Sequence, residues 1–393
     1  MKRQLHLNLF IHSRGHHEAS WRHPMSSPLA LTDIRYYQDL ARRAEAGLFD
    51  AIFLADQLAL GDDADRAARC WLEPITVLAA IAAVTDKIGL IATASTTYTE
   101  PFNLARQFGS LDHISHGRAG WNIVTSWLAT AARNYGGRSQ VSHGDRYAQA
   151  EEFMTVVKGL WDSWAEDAVL DDRAGGRYAR SDRIRRINHS GEHYQVEGPL
   201  NLPRTPQGRP VLVQAGSSDV GRGFAARHAE AVFTAHLEKS TAQAPLRTVR
   251  RIRFLASPAR PPARAGGFPG PRIGAGRAQP HRGHPRSGAT RAAHARQLLA
   301  TLAGARGHFT FAGTPKQVAD LIEDWFENGA ADGFNIMPPL LPAMLDVFSA
   351  EVIPILQKRG LFRTAYAGKT LREHYGLDWP ESAFKEAAAL QEA

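Results

Sequence analysis

The 393-residue chain reads as an α/β protein, a (β/α)8 TIM barrel with insertions, and three observations predict it. Short apolar runs rich in Val, Ile, Leu and Phe recur with little polar alternation, as parallel strands covered on both faces require. Segments of helical periodicity with legible ends lie between them, and about eight strand-then-helix units favour a closed barrel over an open doubly wound sheet. No GxGxxG or GxxxxGKS/T follows any run, which counts against a dinucleotide fold or a P-loop.

In chain order the expected strands are QLHLNLFI (4–11), DAIFLAD (50–56), IGLIATAST (88–96), AGWNIVTS (119–126), PVLVQAGSS (210–218), EAVFTA (230–235) and GFNIMPP (333–339), with RIRFLAS (251–257) as an eighth. Thr32 is placed to cap TDIRYYQDLARRAEAGLFD, whose apolar positions Ile34, Tyr37, Leu40, Ala41 and Ala44 recur at threes and fours, and Gly47 is placed to stop it. EPITVLAAIAAVTD precedes the third run and PFNLARQFGSLDHIS follows it. TPKQVADLIEDWFENGA opens with Thr314 as cap and Pro315 at the first helical position. One domain over 1–380 with a tail at 381–393 is the expected division.

The net charge of +8 suggests an acidic partner, but it is local. Residues 241–300 hold 12 arginines and no Lys, Asp or Glu, so the remainder has 47 − 12 = 35 basic against 39 acidic residues. Arg, Ala, Pro or Gly fill 40 of those 60 positions. Three readings stand: a disordered basic arm, an insertion loop, or a stretch translated out of frame from a GC-rich gene. Phe254 and Phe268 are its only aromatic residues, a poor platform for stacking bases, so no nucleic-acid partner is expected. A single cysteine, Cys70, excludes an intrachain disulfide. With no apolar stretch near the roughly 18 residues of a membrane span and no signal-like start, a cytoplasmic protein is expected.

Chemistry in such a barrel gathers at the C-terminal strand ends and the loops after them. The polar residues there are His12 and Ser13, Asp56 and Gln57, Thr93 to Thr97, Asn122 with Thr125 and Ser126, and Ser217 with Ser218. The decapeptide GHHEASWRHP (15–24) falls in the first of these loops. His16 and His17 are adjacent, so on an extended chain they point apart, and no Asp/His/Glu set elsewhere completes a metal sphere. No metal is expected, and GDDAD (61–65) and LDDR (170–173) read as solvated acidic loops.

The stretches GHHEASWRHP, FLADQ, IATASTTYTEPFNLARQFGSLDHISHGRAGWNIVTS, HGDRYAQAEEF, GEHYQVEGPLNLPRTPQGRPVLVQAGSS, GTPKQVADLIEDWFENGAADGFNIMPP and RGLFRTAYAGKTLREHYGLDWP stand in this order along the chain. Together they resemble the bacterial-luciferase-like flavin monooxygenases, in the branch of the nitrilotriacetate, EDTA and dibenzothiophene-sulfone monooxygenases. The resemblance covers 1 to about 238 and about 306 to 380, and lapses over the anomalous segment.

This resemblance implies a luciferase-like barrel that binds reduced FMN, delivered by a separate NAD(P)H-dependent flavin reductase, and inserts one oxygen atom from O2 into a small organic substrate such as an aminopolycarboxylate or organosulfur compound. It places Asp56 beside the isoalloxazine ring and Thr93 under it. His143 and Tyr147, four apart on one helix face, would reach ribityl or phosphate oxygens. Ser217 and Ser218 open a helix and offer hydroxyls and helix-start amides to the phosphate, though a plain cap is their other use. Asn122 would point its amide at the flavin, and His17 or His12 would bond the substrate or flavin while Trp21 and Arg22 shape the pocket. A homo-oligomer, dimer or tetramer, is implied. The alternatives are an inactive relic in which 241–300 no longer supply a strand and helix, then a metal-dependent hydrolase, then a nucleic-acid-binding protein.

Overall fold

The computed structural model describes residues 3–70, 72–126, 128–136, 142–216, 218–236, 239–242, 252–256 and 311–382. Eight parallel strands close into a barrel: β1 (His6–Ile11), β2 (Ala51–Leu54), β3 (Gly89–Ser95), β4 (Ala119–Val124), β5 (Val211–Gln214), β6 (Ala231–Ala235), β7 (Ile252–Ala256) and β8 (Gly333–Ile336), which returns to β1. Each expected run supplies one strand. Closure removes the sheet edges, so every strand pairs on both sides.

β7 comes from within the Arg/Ala/Pro/Gly-rich segment. It pairs with β6 from Ala231↔Ile252 to Ala235↔Ala256 and with β8 at Phe254↔Gly333 and Leu255↔Phe334. The relic reading took this strand to be lost; the short IRFLA run is apolar enough to close the ring, and that premise is corrected. Residues 243–251 and 257–300 of the segment lie outside the described residues.

The helices follow their end signals, with one shift. In α1 (Ile34–Ala46) the cap is Asp33 rather than Thr32, because the Asp33 carboxylate accepts from the Arg35 amide at 3.0 Å and also holds the Arg35 guanidinium. Gly47 ends that helix, but the left-handed residue is Leu48, φ 62°. In α2 (Pro74–Ala82) the Glu73 carboxylate accepts from the amides of Ile75 and Thr76. Then come α3 (Pro101–Ile114), α4 (His143–Trp161, capped by Ser142) and α5 (Asp219–His228). Finally α6 (Pro315–Glu327) has Thr314 and Gln317 in a reciprocal capping box. Residues 162–210, between α4 and β5, form an insertion with two small hairpins.

Inside the barrel the alternate residues Ala51, Phe53, Ile91, Val211, Val213, Ala231 and Phe233 form one apolar cluster. Its N-terminal end is plugged by the short helix Leu371–His374, whose Leu371 joins the cluster together with Tyr375. The Tyr375 hydroxyl donates to Asn8 Oδ1 at 2.8 Å, and Asn8 Nδ2 donates to Asn335 Oδ1 at 3.0 Å. Asp50, also at this closed end, accepts from the Leu7 amide and meets His6 and Arg363; against the opposing effect of burial, the Arg363 guanidinium and the His6 contact hold its carboxyl below the usual range. With one end filled, the C-terminal strand ends are the open face. Among the described residues no helix is long and apolar enough to cross a membrane.

Candidate functional site

The floor of the open end is aromatic. Phe10 and Phe53 meet edge to face at 4.7 Å between centroids, and Phe53 meets Phe233 at 4.9 Å. One inward step beyond Ile91 and Gly120, strands β3 and β4 bring Thr93 opposite Asn122. Both are buried, and Asn122 Nδ2 donates to Thr93 Oγ1 at 2.9 Å. Asn122 Oδ1 is buried without a partner. Further up, Ser126 Oγ donates to Ser95 Oγ at 2.8 Å, adding hydroxyls to the same rim.

A second cluster forms where α4 crosses the start of α5. Tyr147, nearly buried, packs edge to face on Phe224 at 5.5 Å and lies 5.0 Å from the exposed His143 ring. Its hydroxyl closes over two glycines: a Cβ on Gly221 would stand 2.8 Å from Tyr147 Oη, and one on Gly216 would stand 3.1 Å from it. Ser218 caps α5, its Oγ accepting from the Gly221 amide at 3.1 Å, and Gln214 Oε1 accepts from the Gly216 amide at 2.7 Å. The result is a close gathering of two hydroxyls and two glycines at a helix start, the kind of place where an anion meets free amides. Ser217 lies outside the described residues.

The loop after β1 is riveted to the loop after β8. The amides of His16 and His17 donate to the carbonyls of Pro338 and Pro339 at 2.9 and 3.3 Å, and the Leu341 amide donates to the Arg14 carbonyl at 2.9 Å. Gly15 sits at φ +133°, and a Cβ there would meet the Pro339 carbonyl and stand 2.8 Å from Leu340 Cα. Gly15→Ala is therefore expected to cost about 2 kcal/mol and to open this double loop. Thermal melting and limited proteolysis check it, with His17→Ala as a variant expected to melt like the wild type; equal melting of both would refute the clash.

Within the loop the histidines divide. His12 continues the inward series of β1 and lies 5.4 Å from the buried His16 ring, which is edge-on to Phe10 at 4.7 Å. His16 Nε2 donates to the Phe10 carbonyl at 3.0 Å. His17 is half-buried, and its Nδ1 accepts from the Ala19 amide at 3.1 Å, which leaves Nε2 as its proton-bearing atom. Trp21 and Arg22 form a short 3-10 turn and are exposed. Among the described residues no group of three or more His, Cys, Asp or Glu is placed to hold a metal ion.

Asp56, half-buried beyond β2, accepts from the Gln57 amide at 2.8 Å, and burial pushes its carboxyl up. Beside it Tyr98 and Tyr135 stack at 4.7 Å with ring planes 17° apart. Burial raises the Tyr135 hydroxyl too, and the Asp56 charge adds to that shift, so the two groups share one rim.

The fold thus joins Thr93 to Asn122 and gathers Tyr147 and Ser218 around Gly221 with His143 beside the Tyr147 ring, while His12, His17, Trp21 and Arg22 share the loop after β1. Sequence reasoning missed Gln214, Gly216, Gly221 and the Tyr98–Tyr135 stack. A polar residue closing an apolar run, followed by two glycines flanking SSDV, was the available signal for the first three.

These residues suit FMN: an apolar, aromatic floor for the ring, an unpaired amide oxygen and a hydroxyl at its edge, and a cradle that one methyl group would fill. Comparison with known proteins agrees. The Luciferase-like monooxygenase family model matches residues 7–269. The N-acetyl-S-(2-succino)cysteine monooxygenase of Bacillus subtilis (strain 168) is 41% identical over 435 residues, covering 98% of this chain and 99% of that one. The nitrilotriacetate monooxygenase component A of Aminobacter aminovorans is 41% identical over 444 residues, covering 97% and 98%. The structure of the EDTA monooxygenase from Chelativorans sp. BNC1 matches with a TM-score of 0.78 at 31% identity, covering 96% of this chain and 99% of that one. The resemblance carried by the quoted stretches is borne out. The chain belongs to the luciferase-like monooxygenase family, as an FMN-dependent oxygenase component served by a separate flavin reductase.

Proposed function

We propose that the chain oxygenates a small carboxylate-bearing amine or thioether, and that its flavin lies with the phosphate in the Tyr147–Ser218 cradle and the ring over the Phe10–Phe53 floor. The carrying observation is the charge of the loop after β1. Arg14 and Arg22 have no carboxylate partner among the described residues, whereas Arg69 nearby is paired with Asp63 and Glu18. Two guanidiniums on the loop after β1, with no carboxylate partner among the described residues, match substrate carboxylates. The compounds for which the similar proteins are named, N-acetyl-S-(2-succino)cysteine, nitrilotriacetate and EDTA, carry several carboxylates each.

Bound reduced FMN supplies the electrons that activate O2, one atom of which goes to the substrate. The chain's own residues position and shield. His143, Tyr147 and Ser218 anchor the anionic end, Thr93 and Asn122 meet the ring edge, and Asp56 borders the rim. His12 and the Nε2–H of His17 face the reacting side, Trp21 and Arg22 outline the entrance, and the phenylalanine floor keeps water out. A cytoplasmic setting, an NAD(P)H-dependent reductase and self-association as a dimer or tetramer belong to the same reading. The lone Cys70 supports the first, and the exposed Val169, Leu170 and Tyr178 of the insertion hairpin support the last.

The test couples the protein to an NADH-driven flavin reductase and follows product from N-acetyl-S-(2-succino)cysteine and nitrilotriacetate. Arg14→Ala and Arg22→Ala are expected to raise KM about tenfold each with reduced-FMN affinity unchanged, the loss of one charge-assisted hydrogen bond. Turnover of an uncharged sulfone in preference to both acids would refute the substrate class.

A further inference from the structure

Glu151 and Lys158 stand two turns apart on one face of α4, and the ring of His228, the last residue of α5, enters between them. His228 Nε2 lies 2.6 Å from Glu151 Oε2, and Lys158 Nζ lies 3.0 Å from His228 Nδ1. The partners fix the proton on the ring. A carboxylate only accepts and an ammonium only donates, so Nε2 carries the hydrogen and Nδ1 turns its lone pair to Lys158. Burial lowers the pKa of His228, the Lys158 charge adds to that and Glu151 opposes it, so the ring is mostly neutral at physiological pH. Arg227 Nε donates to Glu151 Oε1 at 3.0 Å, and Phe224 packs against the imidazole at 4.7 Å, which holds carboxylate and ring in place. Two other lysines are held differently: Lys239 meets Asp324 and Lys316 meets Asp320, each at 2.8 Å. A carboxylate keeps a lysine as ammonium, whereas an imidazole backed by a carboxylate is a base for it. A nucleophile, a histidine and a carboxylate in series is the arrangement that activates an attacking atom. Lys158 is only half-buried, so a small reagent has access to it.

We propose that Lys158 is a site of acylation by small molecules with an activated carboxyl group, an acyl phosphate or a thioester. The neutral amine keeps one N–H on His228 Nδ1 and attacks the acyl carbon with its lone pair. As the C–N bond forms, the C–O bond to phosphate or the C–S bond to the thiol breaks, and its electron pair leaves with that group. Nζ gives a proton to His228 Nδ1, Glu151 stabilises the imidazolium, and the proton then passes to solvent. The product is an uncharged amide, so the cluster loses one positive charge, and nothing is oxidised or reduced. The site lies at the C-terminal ends of α4 and α5 and uses neither flavin nor the open face of the barrel.

The test incubates the full chain with acetyl phosphate and, separately, with acetyl-coenzyme A, and follows the acetylated fraction of each lysine by mass spectrometry. Wild type, His228→Asn and Glu151→Gln are compared, with thermal melting to check that each is folded. Asn puts an amide oxygen near the place of Nδ1, so Lys158 keeps an acceptor and loses only its base. In wild type Lys158 is expected to react about a hundredfold faster than Lys316, the low end of general-base assistance, and His228→Asn should abolish most of that ratio. Because lysine's own titration cancels in the ratio, its fall at low pH reports His228. Glu151→Gln should move that fall to lower pH, since the carboxylate supports the imidazolium, whereas a merely structural Glu151 would leave it in place. Reaction with one reagent alone identifies the donor class. A ratio that His228→Asn leaves unchanged, or no reaction at Lys158 with either reagent, overturns the proposal.

Discussion

Gly221→Ala is expected to leave the barrel folded and to lower affinity for reduced FMN about a hundredfold. The substitution falls inside α5, where Ala is favoured over Gly by about 1 kcal/mol, so helix stability should rise slightly. The added methyl, however, would lie 2.8 Å from Tyr147 Oη, 3.0 Å from Ser218 Oγ and 3.1 Å from Gly216 Cα. Tyr147 cannot easily yield, because its ring is wedged between Phe224 and His143. The methyl therefore occupies the space a phosphate oxygen needs to reach the α5 amides and the two hydroxyls. Losing one or two charge-assisted hydrogen bonds at about 1.5–3 kcal/mol each accounts for the magnitude. Tyr147→Phe, which removes one hydroxyl and adds no bulk, should cost about tenfold. Anaerobic titration followed by flavin fluorescence reads both, and wild-type affinity in Gly221→Ala would remove the phosphate from this cradle.

That cradle marks where sequence reading stopped. The barrel strands were legible because strands covered on both faces are continuous apolar runs, and IRFLA stood out even inside the Arg/Ala/Pro/Gly-rich segment. The α1 cap was misplaced by one residue because Thr32 and Asp33 are both good caps, and only geometry shows which reaches the Arg35 amide. Thr93 and Asn122 were legible singly as polar strand ends. Their pairing was not, since it comes from the β3–β4 register. Gly216 and Gly221 read as turn and helix glycines; their need for empty space appears only when Tyr147 arrives from α4. The histidine-rich decapeptide suggested chemistry throughout. Part of its sequence is instead explained by the backbone rivets to the β8 loop, which Gly15 makes sterically possible.

Arg118→Leu is expected to be the most destabilising single change. Arg118 is 2% exposed, and among the described residues it pairs with no carboxylate. Its Nε donates to the Ser115 carbonyl at 2.7 Å, Nη1 to Thr85 Oγ1 and the Ile88 carbonyl at 2.9 Å each, and Nη2 to the carbonyls of Ala82 and Thr85 at 3.1 and 2.7 Å. Burial lowers its pKa, with the more distant Glu45 and Asp86 charges opposing the shift. The cation stands at the C-terminal end of α2, where helix carbonyls lack amide partners and the dipole is negative. Leucine would leave four buried carbonyls without this donor, at about 1–3 kcal/mol each where nothing replaces it, so a loss of at least about 4 kcal/mol follows. A fall in Tm on the order of 10 °C is the corresponding reading. Arg118→Lys keeps the charge but offers three donors on a single nitrogen, and should recover only part of the loss. The Arg118 carbonyl also accepts from the Leu90 amide at 2.8 Å, just below the run that carries Thr93 and Asn122, so the site depends on this clamp. Saturating reduced FMN, which binds the native state, should therefore restore part of the lost Tm in Arg118→Leu. A melting point within about 3 °C of wild type would show that water satisfies those carbonyls and that the guanidinium is dispensable.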